Sequence, residues 1–306
     1  MVHWAAFPGQ MNRKKPLLIN GLDARNSSHH PLQFLSHAVC YRGYPPNNGC
    51  RQGAFPHRPI RMTQITNIAA YKFVPLDRLP ERRETLLDRA SSLSLKGTIL
   101  LAEEGINLFL AGSAGDIDAF LLWLREDPAF TVLEVKYSLS SSVPFGRLRV
   151  RIKREIIRMN HPAIRPVAAR APAVDAHTVE RWLGQGTDDE GRPVVMLDTR
   201  NEFEVQAGTF ANAINWHIDR FTQFPQAVLD HKDELAGKTV VSFCTGGIRC
   251  EKAAIFMAEA GVERVLQLDG GILKYFEETG GTGFEGTCFV FDGRETLDPG
   301  LQPRRL

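Results

Sequence analysis

The sequence predicts two consecutive domains, a two-layer α+β sandwich followed by an α/β domain built around a parallel central sheet. Two observations predict this. Between residues 65 and 137, apolar patterning alternates between a two-residue and a 3.6-residue period, in the order strand, helix, strand, strand, helix, strand. From residue 174 onward, helices alternate with short strands whose interiors are wholly apolar, the pattern of a sheet buried on both faces. At 306 residues and 43% hydrophobic content, the chain has enough apolar material for two such cores.

The front domain is assigned to residues 62–160. Asn67–Val74 reads as a strand, Leu79–Ala90 as a helix, and Gly97–Ala102 and Gly105–Leu110 as two strands joined by a tight turn at Glu104-Gly105. Ala114–Leu124 reads as a helix and Thr131–Tyr137 as a strand, which completes the ferredoxin-like order. Glu103, Glu104 and Asn107 are accounted for by that hairpin turn. One more strand, Arg147–Lys153, follows, and a Pro-containing linker occupies 161–173. The α/β domain is placed at 174–284. Its predicted helices are Ala176–Leu183, Phe221–Asp230, Lys232–Leu235 and Cys250–Ala260, and its predicted strands are Val194–Leu197, Ile214–His217, Thr239–Phe243 and Arg264–Leu268. A tail covers 285–306.

Residues 1–61 show neither period and are rich in Pro, Gly, Asn, His and Arg, so they are expected to be a disordered or non-native N-terminal extension. His37, Cys40, Cys50 and His57 lie there, but their spacing matches no common zinc module and no metal is expected. Five cysteines in a chain of this size point to reduced thiols in the cytoplasm and not to a disulfide framework. No apolar run approaches the roughly 18 residues that span a bilayer, so no membrane contact is expected. No protein partner is legible.

Charge is distributed unevenly. Residues 1–61 carry eight basic residues against one acid, 62–170 sixteen against twelve, and 171–306 thirteen against twenty-two. An anionic partner would therefore meet the front of the chain. Within that half, Arg147, Arg149, Arg151 and Lys153 alternate with Leu148, Val150 and Ile152, which puts four cations on one face of a strand. Such a stripe neutralises phosphates in a nucleic acid, or it charges an edge strand against aggregation.

The chemistry is concentrated at residues 243–253. An apolar strand delivers Cys244 into Thr245-Gly246-Gly247-Ile248-Arg249, and a helix follows. Glycines let the backbone curl so that N–H groups converge, the helix N-terminus adds partial positive charge, and Arg249 adds a full one. A thiol there should ionise near neutrality and act as a nucleophile or sulfur carrier, with Thr245 to Arg249 holding the anion. Lys252 either adds positive potential or lies on a solvated helix face. Cys250 either resolves an oxidised Cys244 or packs in the first helical turn. A cysteine phosphatase would have five residues between Cys and Arg. Here there are four, a ring better matched to one sulfur atom than to a phosphoryl group.

These residues resemble the rhodanese family. Asp198-Thr199-Arg200 is similar to its Asp-x-Arg motif, with Glu204, Gly208 and Ala213 to Asn215 continuing it and Thr209-Phe210 replacing the usual His-Ile. Leu268-Asp269-Gly270-Gly271 resembles the motif that closes the active loop. The loop Cys-Thr-Gly-Gly-Ile-Arg-Cys-Glu-Lys is similar to that of the tRNA uridine hydroxylases, as are Lys96-Gly97-Thr98 to Gly105-Ile106-Asn107, Val143-Pro144-Phe145 and Cys288 to Arg294. Many members carry a cysteine-rich segment after the last motif, which this sequence lacks. The resemblance implies a rhodanese-type second domain, in which Asp198 and Arg200 brace the loop. It further implies oxygen-dependent hydroxylation of the wobble uridine (position 34) of tRNA to 5-hydroxyuridine, with molecular oxygen as co-substrate and the basic strand on the RNA. No resident cofactor is evident. The alternative is a thiosulfate-type sulfurtransferase that carries a persulfide on Cys244.

Overall fold

The computed structural model describes residues 64–168 and 170–305. The expectations for residues 1–61, including His37, Cys40, Cys50 and His57, lie outside the described residues.

The first domain has the expected order. It runs β1 (Ile65–Phe73), α1 (Leu79–Ser92), β2 (Lys96–Ala102), β3 (Gly105–Gly112), α2 (Ala114–Leu124), β4 (Val135–Ser140) and β5 (Leu148–Ile152). The five strands form one sheet in the order β4-β1-β3-β2-β5, antiparallel except for the β2–β5 pair. One face buries Ile99, Leu101, Ile106, Leu108 and Leu110 against Leu86 and Ala90 of α1 and Phe120 of α2. Ser113 caps α2, its hydroxyl accepting from the Asp116 amide at 3.1 Å. The last strand of the core sheet lies further along the chain than expected, at Val135–Ser140. The ladder with β1, from Ala70 opposite Val135 to Ile65 opposite Ser140, sets it there, while Phe130 and Leu133 enter the core ahead of the strand.

The second domain comprises β6 (Ala173–Val174), α3 (Ala176–Gln185), β7 (Val194–Asp198), α4 (Glu202–Val205), β8 (Gly208–Phe210), α5 (Phe224–His231), β9 (Thr239–Phe243), α6 (Ile248–Glu259), β10 (Val265–Leu268) and α7 (Gly271–Thr279). Its central sheet is wholly parallel, in the order β6-β10-β9-β7, and every residue of β9 is buried. Phe221–Gln223 and Lys232–Leu235 are 3₁₀ turns that flank α5. The expected strand Ile214–His217 is not formed and reduces to one bridge between Leu197 and Ile214. His217 has φ 52°, and its N–H is taken by Asn215 Oδ1 at 2.9 Å, so no ladder can continue. Beyond α7, β11 (Phe284–Gly286) pairs with β8. Then β12 (Cys288–Phe289), β13 (Thr296–Leu297) and β14 (Pro303–Arg304) make a small antiparallel sheet.

A buried cation joins the two domains. Lys252 on α6 is only 1% exposed and is neither solvated nor aimed at the active loop. Its ammonium reaches Glu104 Oε1 at 3.0 Å, Glu155 Oε2 at 2.7 Å and the Ile157 carbonyl at 3.1 Å. Glu104 also accepts from the Ile156 amide at 2.7 Å, and Asn107 donates to the Ile156 carbonyl at 3.2 Å. Both residues therefore do more than turn a hairpin: they anchor the segment that leads into the second domain. Among the described residues no helix is long and apolar enough to cross a membrane.

Lys252→Ala would leave Glu104 and Glu155 facing each other without a counter-charge. The expected loss in urea unfolding is about 3 kcal/mol, the lower end for breaking a buried ion pair, since both carboxylates keep some contact with water.

Candidate active site

Cys244 follows β9 at the carboxyl end of the parallel sheet, where such folds place ligands. The chain turns directly from strand to helix because Gly247 adopts φ 96°, so α6 starts at Ile248, two residues earlier than its sequence suggests. The sulfur is fully buried and accepts the Gly247 N–H at 3.1 Å. Burial pushes the Cys244 thiol up. A hydrogen bond from Cys250, the charge of Arg249 and the N–H groups of Arg249 and Cys250 overcome this and bring it down to about 5. The Cys250 thiol is driven the other way, by burial and by its bond to the neighbouring sulfur. The opposite shifts favour the anion on Cys244 over Cys250. Of the expected ring, the N–H groups of Gly247 and Arg249 act on the sulfur, and Cys250 joins them. Thr245, Gly246 and Ile248 line the space in front of it.

Arg249 is placed differently from the expectation that it lends a free charge. Its guanidinium is 5% exposed and forms a bidentate pair with Glu204, Nη1 to Oε2 at 2.6 Å and Nη2 to Oε1 at 2.7 Å. Glu204 is itself fully buried. Burial pushes its carboxyl up, and Arg249 then holds it below the usual carboxylate range. The guanidinium thus fixes the loop from behind and reaches the sulfur only through its field.

Asp198 and Arg200 brace the loop's surroundings. Arg200 Nε and Nη2 contact Asp198 at 2.9 and 2.6 Å, and Nη2 also donates to the Gly208 carbonyl at 2.6 Å. Thr209, in place of the usual histidine, donates its hydroxyl to Asp198 Oδ2 at 2.8 Å. The direct link to the active strand is the middle residue. Thr199 donates both its amide and its hydroxyl to the Phe243 carbonyl, each at 3.0 Å, and lies 3.7 Å from Cys250 Sγ. From the other side, the Ile272 amide donates to the Cys244 carbonyl at 2.9 Å. Gly271 comes so near that a Cβ there would sit 2.5 Å from that oxygen. That approach is the physical content of the Asp-Gly-Gly motif.

The cavity over Cys244, about 220 Å³, has walls from three parts of the chain. The second domain supplies Cys244 to Gly246 and Ile248. The first supplies the sheet face opposite its helices, with Asn67, Ala69 and Tyr71 of β1, Asn107 and Phe109 of β3, and Lys136 and Ser138 of β4. The C-terminal segment supplies Val290 to Asp292 and Arg294. Asp292-Gly293-Arg294 repeats the Asp-x-Arg fork, with Arg294 Nε and Nη2 on Asp292 at 2.8 and 2.6 Å, and Arg294 Nη1 reaches Ser138 Oγ at 2.6 Å. Gly293 donates to the Pro144 carbonyl at 2.9 Å, so the Val143-Pro144-Phe145 and Cys288–Arg294 motifs meet in space.

Reading the sequence missed Tyr71 and Lys136. The Tyr71 hydroxyl lies where a Cβ on Gly247 would meet it at 2.8 Å, and it donates to Glu251 Oε1 at 3.3 Å. Burial, Glu251 and the Cys244 charge push its phenol well above 10, so it stays a donor. Lys136 is 8% exposed, with Nζ 5.5 Å from the Tyr71 ring centroid. Nothing local marks either residue: each sits in a strand whose alternation reads as ordinary sheet.

Arg147, Arg149, Arg151 and Lys153 do not line this cavity, and all four are exposed. β5 is an edge strand, in keeping with the charged-edge reading. Register fixes which face of the sheet the stripe occupies. Arg149 pairs with Thr98 and Arg151 with Leu100, which stand opposite Phe109 and Asn107. The stripe therefore shares the sheet face that walls the cavity.

Residues 65–156 match the UPF0176 acylphosphatase like domain, and residues 176–278 match the rhodanese-like domain. A protein of Bordetella petrii named tRNA uridine(34) hydroxylase is 69% identical over 242 residues, covering 79% of this chain and 96% of that protein. Its namesake from Bordetella avium is 70% identical, covering 78% of this chain and 99% of its own length. One from Variovorax paradoxus is 61% identical, covering 79% and 92%.

Iodoacetamide should alkylate Cys244 ahead of Cys250 and of Cys288, whose thiol burial pushes up to about 12. The thiolate is the reactive form. The rate should therefore hold from neutral pH downward and fall only as pH drops through about 5, well below the roughly 8.5 of a free cysteine. With an ionised cysteine at the head of a rhodanese-type loop, an acylphosphatase-like front domain and this degree of identity to its relatives, the chain belongs to the tRNA uridine(34) hydroxylase family.

Proposed function

We propose that this protein is a cytoplasmic enzyme that hydroxylates uridine 34 of tRNA to 5-hydroxyuridine, with molecular oxygen as co-substrate and Cys244 at the reacting base. The observation that carries this reading is the composite cavity. The ionised sulfur forms its floor, and the open face of the front-domain sheet forms a wall that continues outward to the basic stripe. At about 220 Å³ it lies below the roughly 300–1,000 Å³ of drug-sized sites and suits one flipped base. In this reading Arg147, Arg149, Arg151 and Lys153 contact phosphates and hold the anticodon strand in register. Thr245 to Arg249 form the sulfur's cradle, and Asp198 and Arg200 keep that cradle in place.

In a strain lacking its own copy of the gene, the wild-type chain should restore 5-hydroxyuridine at position 34, and Cys244→Ala should leave none, as read by nucleoside mass spectrometry. Unchanged modification in the Cys244→Ala strain would remove the cysteine from the mechanism. Arg149→Glu with Arg151→Glu should weaken tRNA binding without altering Cys244 alkylation. If both contact phosphate, the log-log dependence of affinity on salt should become shallower by roughly 1.5.

A further inference from the structure

Cations abound around Cys244, yet almost all are already paired with carboxylates. Arg249 is held by Glu204, Arg200 by Asp198, Lys252 by Glu104 and Glu155, and Arg294 by Asp292. Arg170 lies on Glu251. Lys136 differs. Its side chain is more than nine-tenths buried and lines the cavity, but its ammonium makes no hydrogen bond to any described residue. The nearest carboxylate oxygen, Glu134 Oε1, is 3.6 Å away. An ammonium has three protons to donate, and this one can offer them to a molecule in the cavity. Burial pushes it toward the neutral form, while Glu134, Asp269 and the Cys244 thiolate favour the charge.

Its position relative to the sulfur is fixed by a short series of contacts. Lys136 stands opposite Ala69 on the cavity face of β4, its Nζ over the Tyr71 ring. The Tyr71 hydroxyl abuts Gly247, whose N–H holds Cys244 Sγ. Sulfur and ammonium thus line one small cavity and both adjoin Tyr71, a soft nucleophile and a donor with protons to spare. An α,β-unsaturated carbonyl matches such a pair chemically, with a soft electrophilic carbon for the sulfur and an oxygen for the ammonium, and the C6=C5–C4=O4 unit of uracil is one.

We propose that Lys136 is a catalytic residue, whose ammonium binds O4 of the uracil ring and receives the negative charge formed there as the Cys244 thiolate adds to C6. In this step a sulfur lone pair forms the C6–S bond. The C5=C6 π pair moves to make C4=C5, and the carbonyl π pair moves onto O4 as an enolate. C5 thereby becomes nucleophilic. Without any oxidant the adduct can only take a proton from solvent at C5, lose the original C5 hydrogen, and expel the thiolate to regenerate uridine. Lys136 keeps its proton throughout and acts as an oxyanion donor. The proposal rests on tRNA uridine being the substrate.

The test is anaerobic incubation of the purified protein in D₂O with tRNA bearing uridine 34, with mass spectrometry of the anticodon fragment. Wild-type protein should put deuterium at C5 of uridine 34, and Cys244→Ser should not. Lys136→Met, which keeps the apolar stem, should slow exchange by about 10²- to 10³-fold, the loss typical of one oxyanion donor, with tRNA affinity changed little. Lys136→Arg, which keeps a charge, should retain part of the rate. Two results would overturn the proposal: wild-type protein that hydroxylates uridine 34 in air yet exchanges no C5 hydrogen, or Lys136→Met exchanging as fast as wild type. The first needs no variant and so does not depend on how well one folds. Failure of the wild-type protein to hydroxylate tRNA in air would instead remove the substrate assignment, and the proposal with it.

Discussion

A sulfur anion at the end of a fully buried strand has no water to solvate it, so the protein must supply the counter-dipoles, and most of the surrounding structure follows from that demand. The Gly247 N–H can reach Cys244, and the start of α6 can face it, only if the chain turns at once from strand to helix, which the left-handed Gly247 permits. Arg249 must then be close enough for its field to matter without closing the cavity. Glu204 holds it back, and the Asp198–Arg200 fork in turn steadies the segment that carries Glu204. Thr199 and the Gly270-Gly271 turn press the strand end from either side. Cys250 is buried in the first turn of α6 with its sulfur 3.7 Å from the Thr199 hydroxyl, and it favours the anion on its neighbour.

Much of this was legible in the amino-acid order. The glycines, the arginine and the helix start after β9 are local features, and locality is what a sequence records. The central sheet and both α1 and α2 follow from periodicity for the same reason. The carboxylate partners of Arg249 and Lys252 are not legible because each lies far away in the chain. Glu204 is forty-five positions from its partner, and Glu104 is one hundred and forty-eight. Lys136 was invisible because a lysine in a half-exposed strand looks like solvent-facing decoration. Only the packing of a second domain over that face turns it inward. The failed strand at Ile214–His217 has a local cause that the pattern conceals, an Asn side chain taking the amide that a ladder would need.

The front domain contributes more than a charged surface. Its helices cover one face of the sheet, and the opposite face is divided by register into a half that walls the cavity and a half that bears the β5 cations. A nucleotide inserted at one end and a phosphate run at the other would lie on the same rigid ladder. Spacing between them is then set by strand pairing and does not depend on a loop.

The strap formed by Arg294 and Gly293 across Ser138 and Pro144 has an evolutionary corollary. Because floor, wall and rim come from three stretches that are far apart in the gene, neither half can be excised and grafted elsewhere with its chemistry intact. A substitution on one side of such a seam is felt by the residue it meets on the other. That favours descent as a single inherited unit over assembly from borrowed parts.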